Sequence, residues 1–162
     1  MKGFTLIELM VVTAILGLLV GFVLVDYRSG SQLLAEQRSL KIIAQAVRTA
    51  QVKALGSEKS CASKTASCKY YGAHFEIDSA EIIVFGSADE TYSAGIDVDI
   101  EVIILEKGVL VTGFSSVGAF LDILFAPPDP TTTFNPIVGS ATITITGGKS
   151  VTIGLGGSVD TN

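Results

Sequence analysis

Residues 4–25 read FTLIELMVVTAILGLLVGFVLV, 22 positions with one charged side chain, Glu8. At about 1.5 Å per residue a helix of that length reaches roughly 33 Å, enough to cross a hydrocarbon layer of about 30 Å. Lys2 precedes the run, and Asp26-Tyr27-Arg28 marks its far end. A removable secretory signal would have a shorter apolar core followed by small residues at a cleavage site. Here no such site follows, and the pattern runs on into further helix. A carboxylate at membrane depth costs on the order of 2.5–3.5 kcal/mol on the mildest scale, so Glu8 calls for an explanation. Either it lies close enough to the helix start to snorkel to the headgroups, or another chain supplies its cation.

Outside this run the charge is divided unevenly. Residues 1–69 carry nine Lys/Arg against four Asp/Glu, whereas residues 70–162 carry two, Lys107 and Lys149, against twelve. The whole chain of 162 residues has a formal charge of −5 and an isoelectric point near 4.7. That balance argues against holding nucleic acid by bulk electrostatics. With 48% hydrophobic and 17% charged residues the chain is too apolar to be disordered. One histidine and two cysteines exclude a His-rich metal centre or a zinc ribbon.

Past the apolar run, Leu33, Leu40, Ile43, Val47, Ala50 and Ala54 recur at helical spacing and predict one buried stripe. Arg38, Lys41, Arg48 and Lys53 fall off that stripe and read as a solvated face. Ser29-Gly30-Ser31 is a potential joint between two helical halves, and Gly56-Ser57 ends the second. From Tyr70 the period changes to two. Tyr71, Ala73, Phe75 and Ile77 share one face, and Tyr70, Gly72, His74 and Glu76 the other. Further strands are expected at 81–85, 96–105, 109–112, 120–125, 141–146 and 150–155, with Asp97, Asp99 and Glu101 on a common face. All four prolines lie in APPDPTTTFNPIVG, which is expected to be a loop. Short strands parted by Gly, Pro and Asp turns predict antiparallel sheets. The expected fold is α+β: a long N-terminal helix packed on a two-sheet head, with segments 4–28, 29–56 and 57–162.

The N-terminal residues Lys2-Gly3-Phe4-Thr5-Leu6-Ile7-Glu8-Leu9 resemble the processing signature of type IV pilins and pseudopilins. A short basic leader ends in Gly, and Phe-Thr-Leu-Ile-Glu then opens an apolar helix. The resemblance implies that a prepilin peptidase removes residues 1–3 by cutting between Gly3 and Phe4. It further implies that Phe4 is N-methylated and that Glu8 neutralises the amine of a neighbouring subunit's Phe4. The partners so implied are other pilin or pseudopilin subunits, the peptidase and an inner-membrane assembly platform. The subunit would wait in the inner membrane with its head outside the cytoplasm, then enter a type II secretion pseudopilus or a type IV pilus-like fibre. A proline late in the apolar run, frequent in pilus subunits, is missing, and Gly17 and Gly21 form a Gly-x-x-x-Gly pair instead.

More loosely, Tyr71–Phe75, Ile82–Phe85 and Leu124–Asp129 resemble H-type minor pseudopilins and FimT-like minor pilins. Outside the membrane, Cys61 and Cys68 are expected to form a disulfide. Two free thiols, or a metal pair short of ligands, are the alternatives. No catalytic arrangement is found. His74 is expected to be an exposed structural residue, and no phosphate loop, Gly-x-Ser-x-Gly elbow or His-Glu-x-x-His occurs. Asp89, Glu90, Asp97, Asp99 and Glu101 have the oxygen ligands Ca²⁺ needs but no Asp-x-Asp-x-Asp-Gly loop, so a solvated acidic face is favoured. The expectation is a non-enzymatic structural subunit without cofactor. A membrane-tethered module binding DNA or an exported ligand is the alternative.

Overall fold

A computed structural model describes residues 5–56, 68–127 and 131–161, with residues 23–29 described by their backbone alone. The chain forms an α+β fold, one helix and nine strands among those residues. Helix α1 covers Leu6–Leu55. It continues through Ser29-Gly30-Ser31, so the expected joint is not there. A single glycine costs a helix interior only about 1 kcal/mol, which the turns on either side outweigh. Met1–Leu34 and Ala35–Asn162 are two compact units.

In the first unit no large apolar side chain from Leu6 to Phe22 is buried, each being at least half exposed. Leu33 is exposed as well, contrary to its expected place on the buried stripe. Among the described residues no helix is long and apolar enough to cross a membrane.

In the second unit the helical residues from Ala35 onward pack on two antiparallel sheets. The larger sheet is built from β1 (Tyr70–Glu76), β2 (Glu81–Ser87), β3 (Val98–Ile104), β5 (Phe120–Ala126) and β6 (Thr131–Asn135), in the order β3-β2-β1-β5-β6. The smaller one contains β4 (Val111–Phe114), β7 (Ser140–Ile145), β8 (Ser150–Gly154) and β9 (Val159–Thr161), in the order β4-β7-β8-β9.

Two of these strands depart from the expected set. β6 lies inside the proline-rich stretch expected to be a loop. It is an edge strand, bonded only to β5, and it begins after Pro127 and ends before Pro136, so no proline interrupts its ladder. β9 is a three-residue edge strand paired with β8.

The core lies where the helix meets both sheets. Leu40, Ile43, Val47, Ala50 and Ala54 are buried as expected, joined by Ala46. Tyr71, Ala73, Phe75, Ile82, Val84, Leu121, Ile123 and Phe125 face them from the larger sheet. Val111, Ala141, Ile143, Ile145, Val151 and Ile153 do so from the smaller. The three alanines at spacings of four keep one helix flank shallow, which lets the backbone approach the sheets closely. Each fully buried Leu, Ile or Phe contributes about 1.5–3 kcal/mol, so these faces dominate the head's stability.

Polar groups tie the helix at its entry to the core. Ser39 Oγ accepts the Glu106 N–H at 3.2 Å. The buried Glu36 carboxylate lies 3.6 Å from Lys149 Nζ. Gly147, at φ +88°, lies so close to that carboxylate that a Cβ there would overlap it.

Asp97, Asp99 and Glu101 do not form the expected row on one strand face: Asp97 precedes β3, which starts at Val98, and the other two fall on opposite sides. The ladder to β2 shifts between Val84, which pairs with Glu101, and Phe85, which pairs with Asp99. Directly paired residues lie on one side of an antiparallel sheet, so this β-bulge puts Glu101 on the Val84 side and Asp99 on the Phe85 side.

Candidate functional site

Two groups of residues were singled out for chemistry or assembly, the N-terminal segment and the polar groups of the head. Gly3, Phe4 and Cys61 lie outside the described residues. At Thr5–Glu8 the helix opens with a reciprocal cap. Thr5 donates to Glu8 Oε2 through its backbone N–H at 3.0 Å and through its hydroxyl at 2.9 Å. In return Thr5 Oγ1 accepts the Glu8 N–H at 3.4 Å. This capping box satisfies donors that a helix start otherwise leaves open, and it gives Glu8 a role within its own chain. The Thr-x-x-Glu pattern at 5–8 carried that signal in the sequence, and attention to the charge alone missed it. Cys68 is not a free thiol.

His74, expected to be exposed, has a side chain only 15% accessible, and it is paired with a fully buried acid. It stands directly opposite Asp122 in the β1–β5 ladder, with Nδ1 2.5 Å from Asp122 Oδ1. Asp122 Oδ2 accepts the Tyr92 N–H at 3.2 Å and the Asn135 side-chain amide at 3.4 Å. The Tyr92 ring lies 4.6 Å from His74 and 5.0 Å from Phe85, centre to centre. A strap of residues 88–97 therefore covers part of the sheet face turned away from the helix.

The acids near the strap fasten it. Asp89 Oδ1 accepts the Thr91 N–H at 3.2 Å, and the Asp89 N–H donates to Ser87 Oγ at 3.1 Å. The bond from the Thr91 backbone is the main reason the Asp89 carboxyl titrates below its ordinary value. Asp97 Oδ2 accepts the Ser93 N–H at 2.7 Å. Tyr92 donates its hydroxyl to Asp99 at 2.9 Å, and Tyr70 donates to Glu90 at 3.0 Å. Burial pushes the Tyr92 phenol up to about 12, aided by the Asp99 hydrogen bond and the charges of Asp97 and Asp122. The bond to Glu90 raises Tyr70 as well.

These acids serve the strap's own backbone and hydroxyls rather than converging on a point. Among the described residues no three His, Cys, Asp or Glu side chains are grouped to hold a metal ion. Gly72 is required by the same layer. A Cβ there would lie 2.8 Å from both the Ile123 carbonyl oxygen and the Phe85 ring.

Residues 1–24 match the family model described as the prokaryotic N-terminal methylation motif. No curated protein and no solved structure matches the chain. The motif supports a type IV pilin-like protein, a class whose members are structural subunits processed by prepilin peptidase and assembled with one another.

Proposed function

We propose that the chain is a structural minor pilin or pseudopilin, held in the inner membrane by its N-terminal helix and later built into a type II secretion pseudopilus or type IV pilus-like fibre. The observation that carries this reading is a run of exposed apolar side chains along the first turns of the helix. From Leu6 to Phe22 every large apolar side chain is at least half exposed, and the only charge, Glu8, sits in the first turn. Such a surface needs lipid or other helices around it. By sequence the apolar run continues through Val25, which brings it to the roughly 33 Å of a full span.

The motif supports cleavage between Gly3 and Phe4 and N-methylation of Phe4. The new amine then arises within a turn of the Glu8 carboxylate, and a neighbouring subunit's amine is its cation in the fibre. Two opposite charges that meet in an apolar layer replace two unpaired ones, which favours subunit addition. The head is placed outside the cytoplasm, where the chain's two cysteines, Cys61 and Cys68, pair with each other. Closing so short a loop stabilises by about 2–3 kcal/mol. The alternative of a DNA-binding module draws little support from the head. After residue 69 its only cations are Lys107 and Lys149, and Lys149 is engaged with Glu36.

Intact-mass analysis of the full chain, expressed with and without a prepilin peptidase, tests the proposal. The processed form is expected to lack Met1-Lys2-Gly3 and to carry one added methyl group. A chain that keeps Met1 in the presence of an active peptidase refutes it.

A further inference from the structure

The exposed apolar side chains of the head gather at one end of the larger sheet. β1, β3 and β6 finish there and β2 and β5 begin, since Glu76 pairs with Phe120, Glu81 with Ile104 and Asp122 with Asn135. The loops 77–80, 105–110, 115–119 and 136–139 therefore all meet at this end. They are tied to one another. The Ile77 N–H donates to the Ala119 carbonyl at 2.9 Å and the Leu105 N–H to the Ala80 carbonyl at 2.8 Å, and a Cβ on Gly118 would lie 3.7 Å from the Pro136 ring. It is also the end where α1 enters the head, because Ser39 Oγ accepts the Glu106 N–H there.

Among the described residues after 69, eight large apolar side chains are exposed, and five of them, Ile104, Leu110, Val117, Phe120 and Ile137, belong to this end. Val117 is 99% exposed and Ile137 89%, so the head's own packing makes almost no use of them. The charge around them is mostly negative. Glu76, Asp78 and Glu81 are exposed, against one exposed lysine, Lys107, while Arg38 and Lys149 are engaged by Glu106 and Glu36. Bare aliphatic loop tips with an acidic rim fit an apolar partner and not an anionic one.

We infer that these loop tips seat the head on the lipid surface beside its own anchor, with Val117 and Ile137 inserted among the headgroups. The inference rests on the reading of the apolar run as a membrane anchor. By sequence only nine residues, 26–34, part that run from Ala35. Even fully extended, such a stretch reaches at most about 35 Å, so an anchored chain keeps this end of its head close to lipid. A tether of that kind gives the contact a high effective concentration, and a few aliphatic tips then suffice where they would not hold two separate bodies. The acids set the preference, since they tolerate a zwitterionic surface and are repelled by an anionic one. The contact orients the waiting head and is given up when the subunit leaves the bilayer.

The test uses the full chain reconstituted in phosphatidylcholine vesicles, with an environment-sensitive fluorescent amino acid at one position and headgroup-spin-labelled lipid as quencher. A probe in place of Ile137 is expected to be quenched about threefold or more above one in place of Leu155. Leu155 is also exposed but lies at the opposite end, where its carbonyl accepts the Thr132 N–H. Val117→Asp is expected to cut the quenching at position 137 by about half or more and to leave the urea midpoint unchanged, because that side chain packs on almost nothing. Replacing about a third of the lipid with phosphatidylglycerol is expected to weaken the quenching. In cell membranes, a photo-reactive amino acid at position 117 is expected to cross-link to lipid. Equal quenching at 137 and 155, quenching that grows with phosphatidylglycerol, or a cross-link to protein instead of lipid each overturns the inference while leaving the anchor reading intact. A chain that alkaline carbonate strips from the vesicles overturns both.

Discussion

Replacing Asp122 with Ala should be among the most destabilising single changes in the head. Asp122 is fully buried, and its two carboxylate oxygens receive three groups: His74 Nδ1, the Tyr92 N–H and the Asn135 amide. The His74 side chain is only 15% accessible, so Nδ1 recovers little water once its partner is gone. A buried polar group left in that state costs about 1–3 kcal/mol. Tyr92 and Asn135 are half-buried and regain part of their hydration, so each adds about 0.5–1 kcal/mol. The total is about 3 kcal/mol, a large share of the 5–15 kcal/mol typical of a domain.

Urea unfolding of the full chain in detergent measures this loss through tyrosine emission, since the protein has four tyrosines and no tryptophan. With a slope of about 2 kcal/mol per molar, the midpoint is expected to fall by about 1.5 M. Asp122→Asn, which keeps one acceptor oxygen, should fall in between. A midpoint for the Ala variant within about 0.3 M of wild type refutes the reasoning, because it would mean that the strap and His74 do not depend on this carboxylate.

Gly72→Ala brings a methyl group into contact with the Ile123 carbonyl and the Phe85 ring, and should cost about 2–3 kcal/mol by the same assay. A wild-type midpoint would show that the strap layer has slack. Tyr92 is expected to ionise near 12 instead of 10. The sign follows from the raised value: folding favours the neutral phenol, so the strap's stabilisation is complete below pH 10 and is lost as pH climbs from 10 to 12. Ultraviolet titration of wild type against Tyr92→Phe checks this, and a difference between them that titrates near 10 would contradict it. Glu8→Ala should leave cleavage and membrane retention nearly unchanged. The amine of a neighbouring Phe4 then loses its partner, which typically costs about 3–5 kcal/mol and depletes the variant from sheared fibres many-fold. Equal incorporation would remove the ion-pair argument and leave Glu8 as a helix cap.

The elements easiest to read in the sequence were those with a sustained period. The stripe from Leu40 to Ala54 and the alternation from Tyr71 to Phe75 both point at the core, because burial on one face imposes a rhythm on the chain. β6 was hidden by proline density. Thr-Thr-Thr-Phe is good strand material, but whether prolines interrupt or merely bracket a strand depends on an edge position that only the assembled sheet supplies. His74 was assigned to the correct face of β1, but that face is covered by the strap of residues 88–97, which has no period to announce it. The acidic row on β3 failed for a local reason, since one bulge inverts the parity of every residue beyond it. The N-terminal methylation motif was legible because it is written in consecutive residues. The second role of Glu8 required asking what satisfies the first backbone amides of the helix.

The bulge in β3 also bears on how such a subunit survives crowding. Subunits gathered at an assembly site stand at very high local concentration, where an exposed sheet edge tends to recruit its own copies into disordered stacks. In β3 the hydrogen-bonding rhythm is broken between Asp99 and Glu101, and acids lie on both sides of the break. Two such edges cannot zip together in register, since the bulges collide and like charges face each other. Contact through side chains on the sheet's face stays open while contact through its backbone edge is discouraged. In the fibre proposed above, such a chain is thereby kept from polymerising in the wrong way.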